Sequence, residues 1–312
     1  MTRDERAFDD IIQAALRHPP TRMAVAHPCS PDALCGAIES AEAGLIEPIL
    51  VGPRNRLLDI AEGAGLDLSP YRLEDVPHSH AAAARAVELV RSGEADSLMK
   101  GSLHTDEFMG AVLDRQTGVR TDRRISHVYV MKVESYPRYL FITDAAINIA
   151  PDLATKRHIV QNAIDLCHAL GIARPKVAIL AAVETVTASM PATIDAAALC
   201  KMADRKQITG AILDGPLAFD NAISHAAADS KGIDSPVAGD PDILLVPDLE
   251  AGNMLAKQLS YLAAAASAGV VMGARVPIVL NSRAEDARVR LASTAVAALA
   301  ARHRLQGGEV RG

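Results

Sequence analysis

The stretch "VLNSRAEDAR", Val279 to Arg288, puts a hydroxyl, a guanidinium and two carboxylates between an apolar run and a helical one. Ser282, followed three residues later by Glu285, spells a capping box, in which the hydroxyl accepts from the third helical N–H and the carboxylate reaches back. Arg283 has no place in that motif. A cation in the first turn opposes the helix dipole unless an anion lies nearby or a carboxylate such as Glu285 or Asp286 pairs with it. A bound phosphate resolves the conflict, because the helix end that needs capping also attracts anions. Cap and binding site are therefore compatible readings.

A second constellation is "MKGSLHT", where Lys100, Gly101, Ser102, His104 and Thr105 follow a short apolar strand. The GxxxxGK[ST] order of a phosphate loop is missing. Backbone N–H groups here can still cradle phosphate, with Lys100 as a point charge. An ordinary turn accounts for the same residues equally well. The pair His78 and His80 lacks companion ligands, so a polar loop is favoured over zinc and no metal site is expected. The sequence also lacks GxSxG, HExxH and GxGxxG, which withholds support from a nucleophile elbow, a zinc protease or a dinucleotide domain.

Elements that would position such groups are legible. Strand-length apolar runs, among them "RMAVAHP", "EPILVGP", "KVAILAAV" and "DILLVPD", alternate with Ala-rich helical stretches such as Pro31–Gly44, His80–Gly93, Pro151–Gly171 and Glu250–Ala268. Such alternation predicts an α/β protein with mostly parallel sheets flanked by helices. "ISHVYVMKV" and "YLFITDA", joined only by "ESYPR", predict an antiparallel hairpin. In the stretch from Pro151, taken as a first-turn proline, Val160, Ala163, Ile164, Cys167 and Leu170 form a core-facing stripe closed by Gly171. Polar strand-to-helix junctions lie at the carboxyl ends of strands, where open α/β sheets bind ligands. They add Asp144 and Asn148 in "TDAAINIAPD", Asp214 in "DGPLAFDNA", and Asn253 and Lys257 in "LEAGNMLAKQL" as candidate substrate contacts.

Composition sets the outer limits. With 312 residues, two domains are expected. Hydrophobic residues make up 49% but aromatics only 3%, so Ala, Val, Leu and Ile must fill the cores. A formal net charge of −6 argues against nucleic-acid binding. The four cysteines show no metal spacing and read as reduced cytosolic thiols. The charged start "MTRDERAFDD" does not read as a signal peptide, and the longest uncharged run, Gln258 to Ala274, falls short of the roughly 20 apolar residues of a membrane span. A cytoplasmic protein without membrane contact is expected.

Taken in order, "MKGSLHTDEFMGAVL", "ITDAAINIAPDL", "DGPLAFDNAIS", "DSPVAGDPDILLVPDLEAGNMLAKQL" and "VPIVLNSRAEDA" resemble the phosphate acetyltransferase/phosphate butyryltransferase family, over residues 20 to 300. The likeness is closer to the butyryl branch, and to the acyltransferase part found fused to hydratase domains, than to the acetyl enzymes. It implies a two-domain fold like isocitrate and isopropylmalate dehydrogenases, an interdomain cleft and a homodimer. The implied reaction is reversible transfer of a short-chain acyl group between coenzyme A and phosphate. Coenzyme A is a substrate, and no metal or organic cofactor is implied.

Residue by residue, Ser282 and Arg283 match the family's serine–arginine pair, linked to catalysis and phosphate binding. The base further along the helix in the acetyl enzymes has Val289 in its place, so Asp286 or Glu285, one turn earlier, takes the role here. Gly110 stands where family members carry an arginine, and for a second, upstream arginine only Arg85 is on offer. From these matches the expected domains are residues 1–140 with 276–312, and 141–275. The competing functions are a catalytically altered acyl-CoA-binding protein and, further off, a NAD- and metal-dependent hydroxyacid dehydrogenase of the same fold.

Overall fold

The computed structural model describes residues 7–280 and 287–307. The chain divides into two compact units, Met1–Arg123 with Ala268–Gly312, and Arg124–Ser267.

The first unit runs α1 (Asp9–Leu16), β1 (Thr21–Ala26), α2 (Pro31–Glu42), β2 (Ile46–Gly52), α3 (Arg54–Ala64), β3 (Arg72–Asp75), α4 (Ser79–Arg91), β4 (Ser97–Lys100) and α5 (Thr105–Val112). The second contains β5 (Ser126–Lys132), β6 (Tyr139–Thr143), α6 (Leu153–Ala169), β7 (Lys176–Leu180), α7 (Pro191–Asp204), β8 (Ile212–Leu217), α8 (Phe219–Ile223), α9 (His225–Ser230), β9 (Ile243–Leu245) and α10 (Leu249–Leu262). The chain then returns through β10 (Ala266–Met272), β11 (Ile278–Val279) and α11 (Ala287–Leu305).

In the first unit the strands lie in the order β3-β2-β1-β4-β11-β10, all parallel except β10, which runs antiparallel to β11. The apolar residues Met23 to Ala26 of β1 are wholly buried, as befits a strand covered on both faces. Alanines 82, 83 and 86 let α4 approach the sheet closely, which is how a chain poor in aromatics fills its core.

The second unit orders its strands β5-β6-β9-β7-β8, with β5 antiparallel to β6 and the remainder parallel. The expected hairpin is therefore present, in register from Val128 against Thr143 to Lys132 against Tyr139. It lies wholly inside the second unit, so the unit boundary falls after Arg123 rather than at residue 140. The return boundary also moves, from 275 to 267. There β10 pairs with β11, and Thr121 Oγ1 donates to Gly273 O at 2.6 Å while Arg275 N donates to Val119 O at 2.8 Å, stitching residues 271–278 into the first unit.

Three local expectations change. Pro151 precedes α6 instead of opening it. Asp152 is the cap and accepts from Thr155 N at 2.8 Å, an exchange its short carboxylate makes and proline cannot. The Ala-rich run after Leu262 leaves the helix at Ala264, whose φ is 47°, and becomes β10. The edge strand β3 is short and half exposed, so no apolar run announces it.

Candidate active site

In the first unit the loops leaving β1 and β4 interlock. Gly101 N donates to Ala26 O and Ser102 N to His27 O, each at 2.9 Å. A Cβ on Gly101 would fall 2.5 Å from His27 O, so only glycine admits this approach. Ser102 Oγ ties the loops further, donating to His27 O at 2.9 Å and accepting from Cys29 N at 3.1 Å. Its distance to His27 Nδ1 is 3.4 Å. His27 itself is buried and adopts φ 52°, a left-handed conformation uncommon outside glycine.

Lys100 turns its ammonium into its own loop, donating to Gly101 O at 3.2 Å and Leu103 O at 3.3 Å. The cation thus braces the loop while still contributing its charge. His104 and Thr105 stand at the cap and first position of α5, where no side chain caps the helix. Arg56 of α3 reaches Cys29 O at 3.4 Å. Burial, followed by the charge of Arg56, lowers the pKa of His27 below the usual histidine value.

His78 is the N-cap of α4, its Nδ1 accepting from Ala81 N at 3.2 Å, and His80 lies in the first turn of that helix, so the pair opens a helix where the sequence suggests a polar loop. Among the described residues no group of three or more His, Cys, Asp or Glu side chains could hold a metal ion. No helix among them is long and apolar enough to cross a membrane.

In the second unit Asp144, Asn148 and Asn253 come together. Asp144 Oδ1 accepts from Ala146 N at 3.0 Å, Ile147 N at 3.1 Å and His127 N at 3.3 Å. Its Oδ2 accepts from Asn148 N at 3.0 Å and Asn148 Nδ2 at 2.6 Å. One carboxylate thereby organises the whole turn after β6. Asn148 Nδ2 also donates to Ile125 O at 2.9 Å, and Asn253 Nδ2 donates to Ala145 O at 3.2 Å. Hydrogen bonds of all three residues thus converge on one turn.

Two candidates lie apart from this group. Asp214 sits within β8, where its carboxylate accepts from Gly215 N at 2.9 Å. Together with burial, the larger effect, it pushes the neighbouring Cys200 thiol up to about 12. Lys257 lies one turn beyond Asn253 on α10, exposed. Ser282, Arg283, Glu285 and Asp286 lie outside the described residues.

Sequence reasoning missed two buried histidines beside these loops, His27 and His127. A lone histidine at a strand end carries no motif. The "AHP" and "SHV" flanks are the only signal, and they become meaningful once parallel pairing places the end of β1 beside β4 and antiparallel pairing places β5 beside β6.

Parallel strands whose polar loops gather at their carboxyl ends define an α/β ligand-binding enzyme fold. A family model described as phosphate acetyl/butaryl transferase matches residues 78–298. The chain is 62% identical over 297 residues to a phosphate acetyltransferase of Rhizobium meliloti, covering 95% of this chain and 94% of that protein. It is 40% identical to a phosphate butyryltransferase of Clostridium acetobutylicum, covering 95% and 98%. Among solved structures, a branched-chain phosphotransacylase from Enterococcus faecalis superposes with a TM-score of 0.79 at 28% identity, covering 90% of this chain and 99% of that one. The chain belongs to the phosphate acetyl/butaryl transferase family, and it is an acyltransferase.

Proposed function

We propose that the protein transfers a short-chain acyl group, from acetyl to butyryl, reversibly between coenzyme A and phosphate. The observation that carries this reading is family membership over nearly the full chain, with relatives bearing both acetyl and butyryl names. The coenzyme A thiol, with a reference pKa of about 8.5, is mostly neutral at pH 7 and needs a base. Asp286, or Glu285 in its place, takes that proton. The thiolate adds to the carbonyl carbon of the acyl phosphate, a C–S bond forms, and the C–O bond to phosphate breaks with its electron pair leaving on phosphate.

Arg283 stabilises the developing negative charge and the leaving phosphate. Ser282 donates a hydrogen bond to the transition state and carries no acyl group. Lys100 contributes charge, and His104 and Thr105 at the uncapped start of α5 contribute donors, to the anionic substrates. Gly101 and Ser102 hold that loop against the end of β1, while Asp144, Asn148 and Asn253 shape the loop after β6. Asp214 and Lys257 are assigned weaker contacts. No metal or organic cofactor takes part, and the protein works in the cytoplasm.

A homodimer is part of this reading. Met254, Tyr261 and Leu262 on α10 are 65%, 82% and 81% exposed, an apolar face of the kind that a second copy covers. Equilibrium sedimentation of wild type and Tyr261→Glu tests it; a wild type that stays monomeric overturns the dimer.

The activity is tested by coenzyme A-dependent phosphate release from acetyl, propionyl and butyryl phosphate. Turnover with any of them supports the acyltransferase reaction. Coenzyme A binding without turnover would instead favour an acyl-CoA-binding protein. Radiolabel retained on the protein after acyl phosphate alone would sink direct transfer.

A further inference from the structure

The first unit holds a cavity of about 270 Å³ at the end of its sheet opposite the Lys100–Thr105 loop. Asp96 on its wall directly precedes β4, and Arg275 and Val276 precede β11. The two strands run parallel, so both start from the cavity. The four residues of β4, about 13 Å of extended chain, separate it from the loop. The end of α4 supplies Val90, and the last turn of α11 supplies Arg304 and Leu305.

Charge on this wall is one-sided. Asp96, its one carboxylate among the described residues, is committed to Arg22, with Oδ2 accepting from Nε at 2.8 Å and Oδ1 from Nη2 at 2.7 Å. Against it stand two guanidinium groups. Arg304 Nη1 donates to Ala274 O at 2.5 Å, which ties the end of α11 to the residue before Arg275. Arg275 N donates to Val119 O at 2.8 Å, so the backbone carrying this side chain is held from two directions. Arg275 is exposed, and its guanidinium has no ion-pair partner among the described residues. In a chain of formal net charge −6, this is a local cationic site of the kind that draws an anion.

The lining also selects the kind of anion. A planar guanidinium matches a carboxylate through two parallel hydrogen bonds. Val90, Val276 and Leu305 add apolar surface that a bare inorganic anion would leave against water. The volume lies just below the roughly 300–1,000 Å³ of drug-sized ligand sites, which suits a small metabolite.

We propose that this cavity binds an organic carboxylate with an apolar body, its head group paired with Arg275 and its chain lying against Val90, Val276 and Leu305. Binding is non-covalent and reversible.

Isothermal titration calorimetry at constant ionic strength, with butyrate, hexanoate and octanoate as probes, tests the site in wild type, Arg275→Gln and Leu305→Glu. Each added pair of methylenes is expected to tighten binding to the wild type about tenfold. Arg275→Gln, with an unchanged unfolding midpoint, weakens all three probes at least about tenfold. Leu305→Glu, which sets a carboxylate on the exposed rim, weakens them as well and is read in place of Arg275→Gln if that variant does not fold. Octanoate that binds wild type and Arg275→Gln equally overturns the proposal, since the carboxylate then sits elsewhere. An affinity unchanged from butyrate to octanoate overturns it too, as does a wild type that binds no octanoate.

Discussion

Lys156 of α6 and Asp195 of α7 form an ion pair with Nζ 2.7 Å from Oδ2, and the lysine side chain is only 6% exposed. A charge so enclosed is tolerable because its partner is present; removing the partner leaves an uncompensated cation. Asp195→Ala should therefore destabilise the second unit by about 3 kcal/mol, read as a lower urea midpoint by circular dichroism. The double replacement Lys156→Met with Asp195→Leu should lie within about 1 kcal/mol of wild type, since apolar packing substitutes well for buried pairs. An Asp195→Ala midpoint equal to wild type would refute the claim.

Two glycines should respond in opposite directions. A Cβ at Gly101 meets the His27 carbonyl oxygen at 2.5 Å, whereas a Cβ at Gly110 meets nothing within 4 Å. Gly101→Ala should destabilise by about 2–3 kcal/mol through overpacking against rigid backbone, and should depress activity as the loops separate. Gly110→Ala, inside α5, should stabilise by about 0.5–1 kcal/mol. Thermal unfolding of the two variants side by side decides, and a Gly101→Ala protein as stable as wild type removes the interlock as an explanation.

The stability of the second unit should depend on pH through His127. Its folded-state pKa is about 4 against an ordinary value of 6.5. Between those values the unfolded chain binds the proton and the folded one does not. Stability is therefore complete above about pH 6.5 and declines as pH falls towards 4, by at most about 3 kcal/mol. Urea midpoints at pH 7 and pH 5 should converge in His127→Phe more than in wild type. Equal pH dependence in both proteins would count against the buried neutral imidazole.

Arg283→Ala should lower kcat/KM for acyl phosphate by roughly 10²–10³-fold, the usual effect of removing one donor to a developing charge. Asp286→Asn should flatten the acid limb of the pH–rate profile if this carboxylate is the base, with Glu285→Gln leaving that limb in place. The reverse pattern transfers the role to Glu285.

Much of this enzyme can be read from its linear order. The β5–β6 hairpin follows from two apolar runs joined by a turn too short for a crossover, and the core face of α6 follows from its helical spacing. The loop at Lys100 to Thr105 is visible as glycine and hydroxyls behind a short apolar strand. Local chemistry determines such features, so local sequence displays them. The strands β3 and β10 were harder to see, one because an edge strand needs no apolar run and the other because alanine suits helix and strand alike.

The roles of individual side chains were decided by tertiary structure. Asp144 and Asn148 read as substrate contacts in sequence, yet their hydrogen bonds organise a turn, because folding brings five N–H donors to one carboxylate. Lys100 reads as a free cation and instead braces carbonyls. His27 and His127 are silent in sequence, since burial and partnership depend on strands distant in the chain. The sequence by itself determined family, element order and the chemical inventory of the loops. Only the parallel packing of β1 beside β4 and β6 beside β9 decided which of those groups meet, because a hydrogen bond depends on separation in space and not along the chain.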